Sequence, residues 1–217
     1  MKIPRIPKEI DITDFRVAIF GSARIKPNDA QYKQVYDLAK LIAKEGIDVV
    51  TGGGRGIMEA ANKGHKEGRV GNLVHSFGLN IKLPKEQIAN KHLDIKKEFE
   101  RFSERLDYFM YLSNVIVVAE GGIGTLLEFL YSWQLVQVEH VCDMPIILLG
   151  KMWHPFIEWF KKWPLRKKMV SNSDFYHIFL AKNNCEAMKI IRMAHEEYEI
   201  GKLNICKNYK KYKLKIR

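Results

Sequence analysis

Two glycine-rich turns constrain this chain more than any other feature. Thr51-Gly52-Gly53-Gly54-Arg55-Gly56 and Glu120-Gly121-Gly122-Ile123-Gly124-Thr125 each follow a short apolar run and each lead into a helical pattern. A strand, a turn in which glycine permits positive φ, and a helix whose unpaired N–H groups point back at that turn make a phosphate-binding layout. The unit recurs along the chain. Residues 16–20 read as a strand running into Gly21 and Ser22, and Tyr32, Val35, Tyr36, Ala39, Ile42 and Ala43 then recur at helical spacing. Gly46 closes that helix, 47–50 predicts the next strand, and 56–66 the next helix with Ile57, Met58, Ala60 and Ala61 on its buried side. A third strand is expected within 69–77, a weaker extended segment at 79–83, a helix over 99–112, a strand at 115–119, a helix over 125–138 and a strand at 145–149. Apolar strands alternating with helices predict an α/β, Rossmann-like, doubly wound parallel sheet flanked by helices. Ligands of such sheets bind at the carboxyl ends of the strands, where both glycine turns and Gly21 with Ser22 fall.

The expected organisation is one domain over residues 1–217, with a core from about 15 to 195, because 47% hydrophobic residues supply a sizeable core and no linker or repeat divides the chain. From Met152 onward the chain reads as helical and aromatic. Trp153, Phe156, Ile157 and Phe160 form one stripe and Trp159 with Trp163 another, a pattern of packing or subunit contact. The net charge of +11 is concentrated in a basic tail, 202–217, which supplies +7 and leaves +4 elsewhere. With Tyr209 and Tyr212 interleaved, that tail has RNA-binding character, yet a solvated terminus explains it as well and no base-reading motif accompanies it, so nucleic acid is not the expected partner. No apolar stretch is long enough to span a bilayer, and residues 1–8 hold charge and proline where a signal peptide needs an apolar run, so the expectation is a cytoplasmic protein with no membrane partner. Cys142, Cys185 and Cys206 are odd in number and far apart, which reads as free thiols. His65, His75, His92 and His154 lack metal-ligand spacing and read as structural; neither a metal nor a cofactor is expected.

Neither glycine turn is a Walker loop, since no Lys-Ser or Lys-Thr pair follows, and the first strand does not run into the G-x-G-x-x-G of a dinucleotide site. The pairing of TGGGRGIMEAANKG with EGGIGTLLE, preceded by FGSAR at the first turn and by Arg105 upstream, resembles the Lonely Guy (LOG) family. The resemblance runs from about residue 15 to 149 and includes SFGLNIKLPKEQIAN, similar to the family's bacterial branch. It implies a Rossmann-like fold, a homodimer with contacts around Tyr131 and Trp133, and cleavage of the N-glycosidic bond of nucleoside 5′-monophosphates such as AMP. Some members were once labelled lysine decarboxylases, and no pyridoxal-phosphate motif is evident here to support that name. By position, the family's arginine falls on Arg105 and its glutamate on Glu128, and its phosphate loop on Gly121, Gly122, Gly124 and Thr125. Gly52, Gly53, Gly54 and Gly56 would line the opposite side with Met58 behind them, and Gly21, Ser22 and Arg24 either close over the phosphate or finish a turn. Three positions depart from the family pattern. Glu120 stands where the family has proline, Leu106 where it has lysine after the arginine, and Arg55 where the bacterial branch has proline. A carboxylate beside a phosphate loop repels the ligand unless it points away or pairs with a base such as Arg55, and Arg55 is a candidate to restore the cation missing at Leu106.

Charge argues the chemistry. Breaking a ribosyl C–N bond builds positive charge on the sugar and negative charge on the departing base, so a fixed anion near the sugar and donors near the base lower the barrier. Glu128 suits the first task and also the orientation or deprotonation of water. Arg105, protonated at any physiological pH, suits phosphate binding or polarisation of the leaving group. Taken alone, Glu128 is also an acid favoured near a helix start and Arg105 a surface partner for Glu104 or Glu100; the GGxGT turn tips both toward the site. The alternative is a module of the same fold that holds a nucleotide without cleaving it.

Overall fold

Runs of valine and isoleucine build the middle of the sheet. Arg16–Phe20 (β1), Val115–Val118 (β5) and Ile146–Leu149 (β6) are buried at every position, as strands covered on both faces must be. In this computed structural model, which describes residues 14–71, 74–82, 88–141 and 144–200, they join Asp48–Thr51 (β2), Ser76–Ile81 (β3), Ile95–Phe99 (β4) and Ile178–Ala181 (β7). The seven strands form one sheet in the order β4-β3-β2-β1-β5-β6-β7, and every pairing is parallel. The helices are Ala30–Lys44 (α1), Ile57–Gly68 (α2), Phe102–Leu112 (α3), Ile123–Gln137 (α4), Trp153–Phe160 (α5) and Asn184–Glu199 (α6).

The period-two geometry of a strand splits the core. Val17 and Ile19 of β1 pack with α1, α2 and α6, whereas Ala18 and Phe20 pack with α3, α4 and α5. Each buried aliphatic or aromatic side chain contributes about 1.5–3 kcal/mol, so these two layers hold the sheet. The expected doubly wound α/β architecture is therefore present.

Several elements differ from the sequence expectation. The third strand is Ser76–Ile81, not 69–77: Phe77, Leu79 and Ile81 alternate with buried Ser76, Gly78 and Asn80, so half of the strand is polar or small. Residue 83 of the expected extended segment, Cys142, Cys206 and the tail 202–217 lie outside the described residues. β4 was not anticipated, because an edge strand of sequence IKKEF reads as polar; its Phe99 also moves the start of α3 to Phe102. The last third is not wholly helical. α5 runs into a π-helical turn over Lys161–Leu165, and β7 follows. Trp153 and Ile157 of the aromatic stripe are buried, while Trp159 and Trp163 face outward.

Of the expected contact residues on α4, Trp133 is buried and Tyr131 partly so. Trp133 stacks on Phe129 with ring centroids 5.4 Å apart and donates its indole N–H to the Asp174 carbonyl at 2.6 Å, and Tyr131 donates its hydroxyl to Asp107. The outward apolar residues are instead Ile123, Leu127 and Leu130.

Candidate functional site

Strand order places the site. From β1 the chain adds β2, β3 and β4 outward on one side, then returns to set β5 against the other side of β1, pairing Val17 with Val115 and Phe20 with Val118. Direction reverses between β1 and β5, and the loops leaving these strands diverge around a crevice. The Ser22 N–H donates to the Glu120 carbonyl at 3.2 Å and ties the two loops at its base. Above lies an open pocket of about 430 Å³, within the size range of small-molecule sites.

Of the expected residues, Gly21, Ser22, Arg24, Met58, Arg105, Gly122, Gly124, Thr125 and Glu128 line this pocket. Gly122 is the N-cap of α4, so the first turn of that helix directs its free N–H groups and positive dipole end at the cavity. Ala23, Ile81, Phe102 and Ile123 line it too and were not singled out from sequence. Ile123 sits within the GGIGT turn, and Phe102 is one helical turn before Arg105 on α3, a spacing that could have marked it.

Arg105 and Glu128 meet across the pocket floor. Arg105, only 7% exposed, donates Nε to the Leu79 carbonyl at 2.7 Å and Nη2 to Glu128 Oε1 at 3.1 Å, with its guanidinium 5.1 Å from the centre of the Phe109 ring. Burial pushes the Glu128 carboxyl above the usual carboxylate range, and the Arg105 charge and hydrogen bond only partly offset that rise. Arg105 thus holds Glu128 in place without making it a weak base.

The turn after β2 supports the pocket from behind. A Cβ at Gly52 would stand 2.4 Å from Arg105 Nη2, so glycine there lets the guanidinium lie against the backbone. Gly53 and Gly54 are anchored by Asn90, whose N–H and side-chain amide donate to their carbonyls at 2.9–3.2 Å. Asn90 also donates to Asn62, which bonds Thr51 and Ser76 in a buried polar network. Gly56 caps α2, and the Ile57 N–H donates to the Ser22 carbonyl at 3.0 Å. Gly52, Gly53, Gly54, Arg55, Gly56 and Gly121 do not themselves line the pocket, and Arg55 is exposed.

The departures from the family pattern resolve physically. Leu106 is 5% exposed and packed in the interior. Glu120 does not bond Arg55 but turns away from the pocket, Oε1 accepting from the Lys151 N–H at 2.8 Å and the Met152 N–H at 3.2 Å and Oε2 from the Gln31 amide at 2.9 Å. His65 is fully buried with Nε2 3.0 Å from the Ile47 carbonyl, and among the described residues no group of histidine, cysteine and carboxylate side chains is placed to hold a metal.

Fold and crevice define a parallel α/β protein with an anion-ready helix end at its switch point. The family model described as "Possible lysine decarboxylase" matches residues 58–191, and the chain belongs to this family, the LOG family. A protein of Archaeoglobus fulgidus described as uncharacterized is 30% identical over 138 residues, 62% of this chain and 84% of its own length. Among solved structures, the molybdenum cofactor binding protein from Rippkaea orientalis superposes with a TM-score of 0.61 at 21% identity, over 83% of this chain and 96% of that one. The molybdenum cofactor carrier protein from Chlamydomonas reinhardtii does so with a TM-score of 0.58 at 23% identity, over 84% and 99%. At these identities the likeness shows the fold.

Proposed function

We propose that this chain hydrolyses the N-glycosidic bond of a nucleoside 5′-monophosphate, giving a free base and ribose 5-phosphate. The observation that carries this reading is the buried Arg105–Glu128 pair, 3.1 Å apart and opening onto the same pocket as the α4 N-terminus. The helix end and the Gly122, Gly124 and Thr125 turn take the phosphate, with Ser22 and Arg24 at the facing lip. Binding at the phosphate, remote from the breaking bond, orients the sugar. Glu128 then faces the ribose as a fixed anion for the positive charge that develops there, and takes a proton from the attacking water. The water oxygen bonds to C1′ as the C1′–N bond breaks, the bonding pair leaves with the base, and the proton passes from Glu128 to the base nitrogen. A carboxyl held above its ordinary range suits both halves of that transfer. Met58, Ile81 and Phe102 offer an apolar wall for a planar heterocycle.

In this reading the protein is cytoplasmic and single-domain, needs no cofactor and binds no nucleic acid. Two copies meet through the apolar face of Ile123, Leu127 and Leu130. Among the described residues no helix is long and apolar enough to cross a membrane.

Binding without cleavage is the second reading. It is favoured by solved neighbours of this fold that are molybdenum cofactor binding and carrier proteins. Incubation with AMP, GMP, CMP, UMP and IMP, followed by chromatography for free base, separates the two. Base released by the parent and not by Glu128→Gln supports hydrolysis; no base, with thermal stability still raised by nucleotide, supports the carrier reading.

A further inference from the structure

We propose that Glu120 is a positioning residue that locks the anion turn, Gly121–Thr125, onto the loop after β6. The inference rests on the reading of that turn as the phosphate cradle. Two successive glycines leave a turn with the most backbone freedom to lose, so a preformed cradle needs a tether. Glu120 supplies it from the residue immediately before them. Oε1 takes both the Lys151 and the Met152 N–H groups, Oε2 takes the Gln31 amide of α1, and the Glu120 carbonyl takes the Ser22 N–H of the opposite lip. The Gly121 N–H closes the arrangement on the Met152 sulfur at 3.4 Å. The α1 helix and the loop after β6 therefore converge on the Glu120 side chain, and the loop after β1 on its backbone carbonyl.

The receiving loop is shaped for it. Gly150 sits at φ +120, and a Cβ there would lie 2.6 Å from Glu120 Cγ and 2.9 Å from Oε1. Only a residue without a side chain leaves the carboxylate room to reach the two amides. The same N–H donors face the negative charge of Glu120, which weakens the repulsion a carboxylate beside an anion site would otherwise impose. The tether thus preorganises the turn and keeps it compatible with a phosphate.

The test uses the full chain, amide hydrogen exchange by NMR and titration with ribose 5-phosphate. Glu120→Ala is expected to speed exchange at Ser22 and Gly121, whose N–H groups are bonded to the Glu120 carbonyl and the Met152 sulfur, while β1 amides stay as protected as in the parent, and to weaken ribose 5-phosphate about tenfold. Glu120→Gln keeps one oxygen for the two amides, and a flipped Gln31 amide meets its nitrogen, so both readouts return to about parent values. Gly150→Ala, which evicts the carboxylate from the other side, reproduces Glu120→Ala, and the double variant binds no more weakly than either single one. Unchanged exchange in Glu120→Ala, or a Gln variant as impaired as the Ala variant, overturns the proposal. If the parent fails to bind ribose 5-phosphate while Glu120→Ala still loosens the turn, the phosphate reading fails and the tether stands.

Discussion

Acidification should unlock this fold through His65. Its ring is fully buried on α2, with Nε2 3.0 Å from the Ile47 carbonyl and Nδ1 without a hydrogen-bond partner among the described residues. Burial lowers its pKa from 6.5 to about 4, the hydrogen bond to Ile47 opposing only part of that fall. Between these values the unfolded chain binds a proton that the folded chain refuses, so the contribution is complete above pH 6.5 and is lost as pH drops toward about 4. At about 1.4 kcal/mol per pH unit the full window is worth about 3.5 kcal/mol, a large part of the roughly 5–15 kcal/mol that holds a domain together. Asp48 and Glu128 titrate in the opposite sense, their raised carboxyls losing stability as pH rises, so the comparison must cancel them. Urea unfolding of the parent and of His65→Gln, at intervals from pH 7 to about 4.5, does so. The parent's advantage over the variant should shrink by about 2.5 kcal/mol across that range, because glutamine keeps a donor for Ile47 and does not titrate. A difference flat to within about 0.5 kcal/mol would falsify the assignment of acid lability to this ring.

Arg105→Met leaves Glu128 desolvated without its cation, so a loss of about 2–4 kcal/mol is expected at pH 8. That loss shrinks as pH is lowered and the carboxyl, already above its usual range, takes a proton; a loss that does not change with pH refutes the pairing argument. Under the hydrolase reading, Arg24→Ala at the pocket lip raises the Michaelis constant about tenfold while Arg55→Ala, exposed and away from the lining, changes it less than about twofold. The reverse order in steady-state kinetics would return Arg55 to the site. Leu127→Glu on the outward face of α4 should convert a dimer to a monomer by light scattering, and an unchanged mass in a dimeric parent sends the interface elsewhere.

What could be read from the sequence tracks what each residue answers to. β1, β5 and β6 were legible because burial on both faces demands an unbroken apolar run, and the glycine turns because the backbone itself requires them. β3 was misplaced because its Ser76 and Asn80 are buried as polar groups, and β4 was hidden because an edge strand answers to solvent. The outward side of α4 could not be chosen from a helix apolar on nearly every face; the packing of Phe129 and Trp133 and the bonds of Trp133 to Asp174 and Tyr131 to Asp107 decide it. The pairing of Arg105 with Glu128 came from motif, since 23 positions and a strand separate them. The direction of Glu120 depends on the backbone of Gly150, on which no local pattern near Glu120 bears.

The switch point between β1 and β5 also sets an order of events in folding. One lip of the crevice leaves β1 near residue 21 and the other leaves β5 near residue 121, and they face each other only after Val17 has found Val115. That pairing closes a loop of nearly one hundred residues, among the slowest kinds of contact to form. A nascent chain carrying only the first four strands has half a cradle and nothing to grip. A ligand held between the two lips would therefore act on the finished sheet alone and protect the molecule as a whole instead of rescuing an early intermediate.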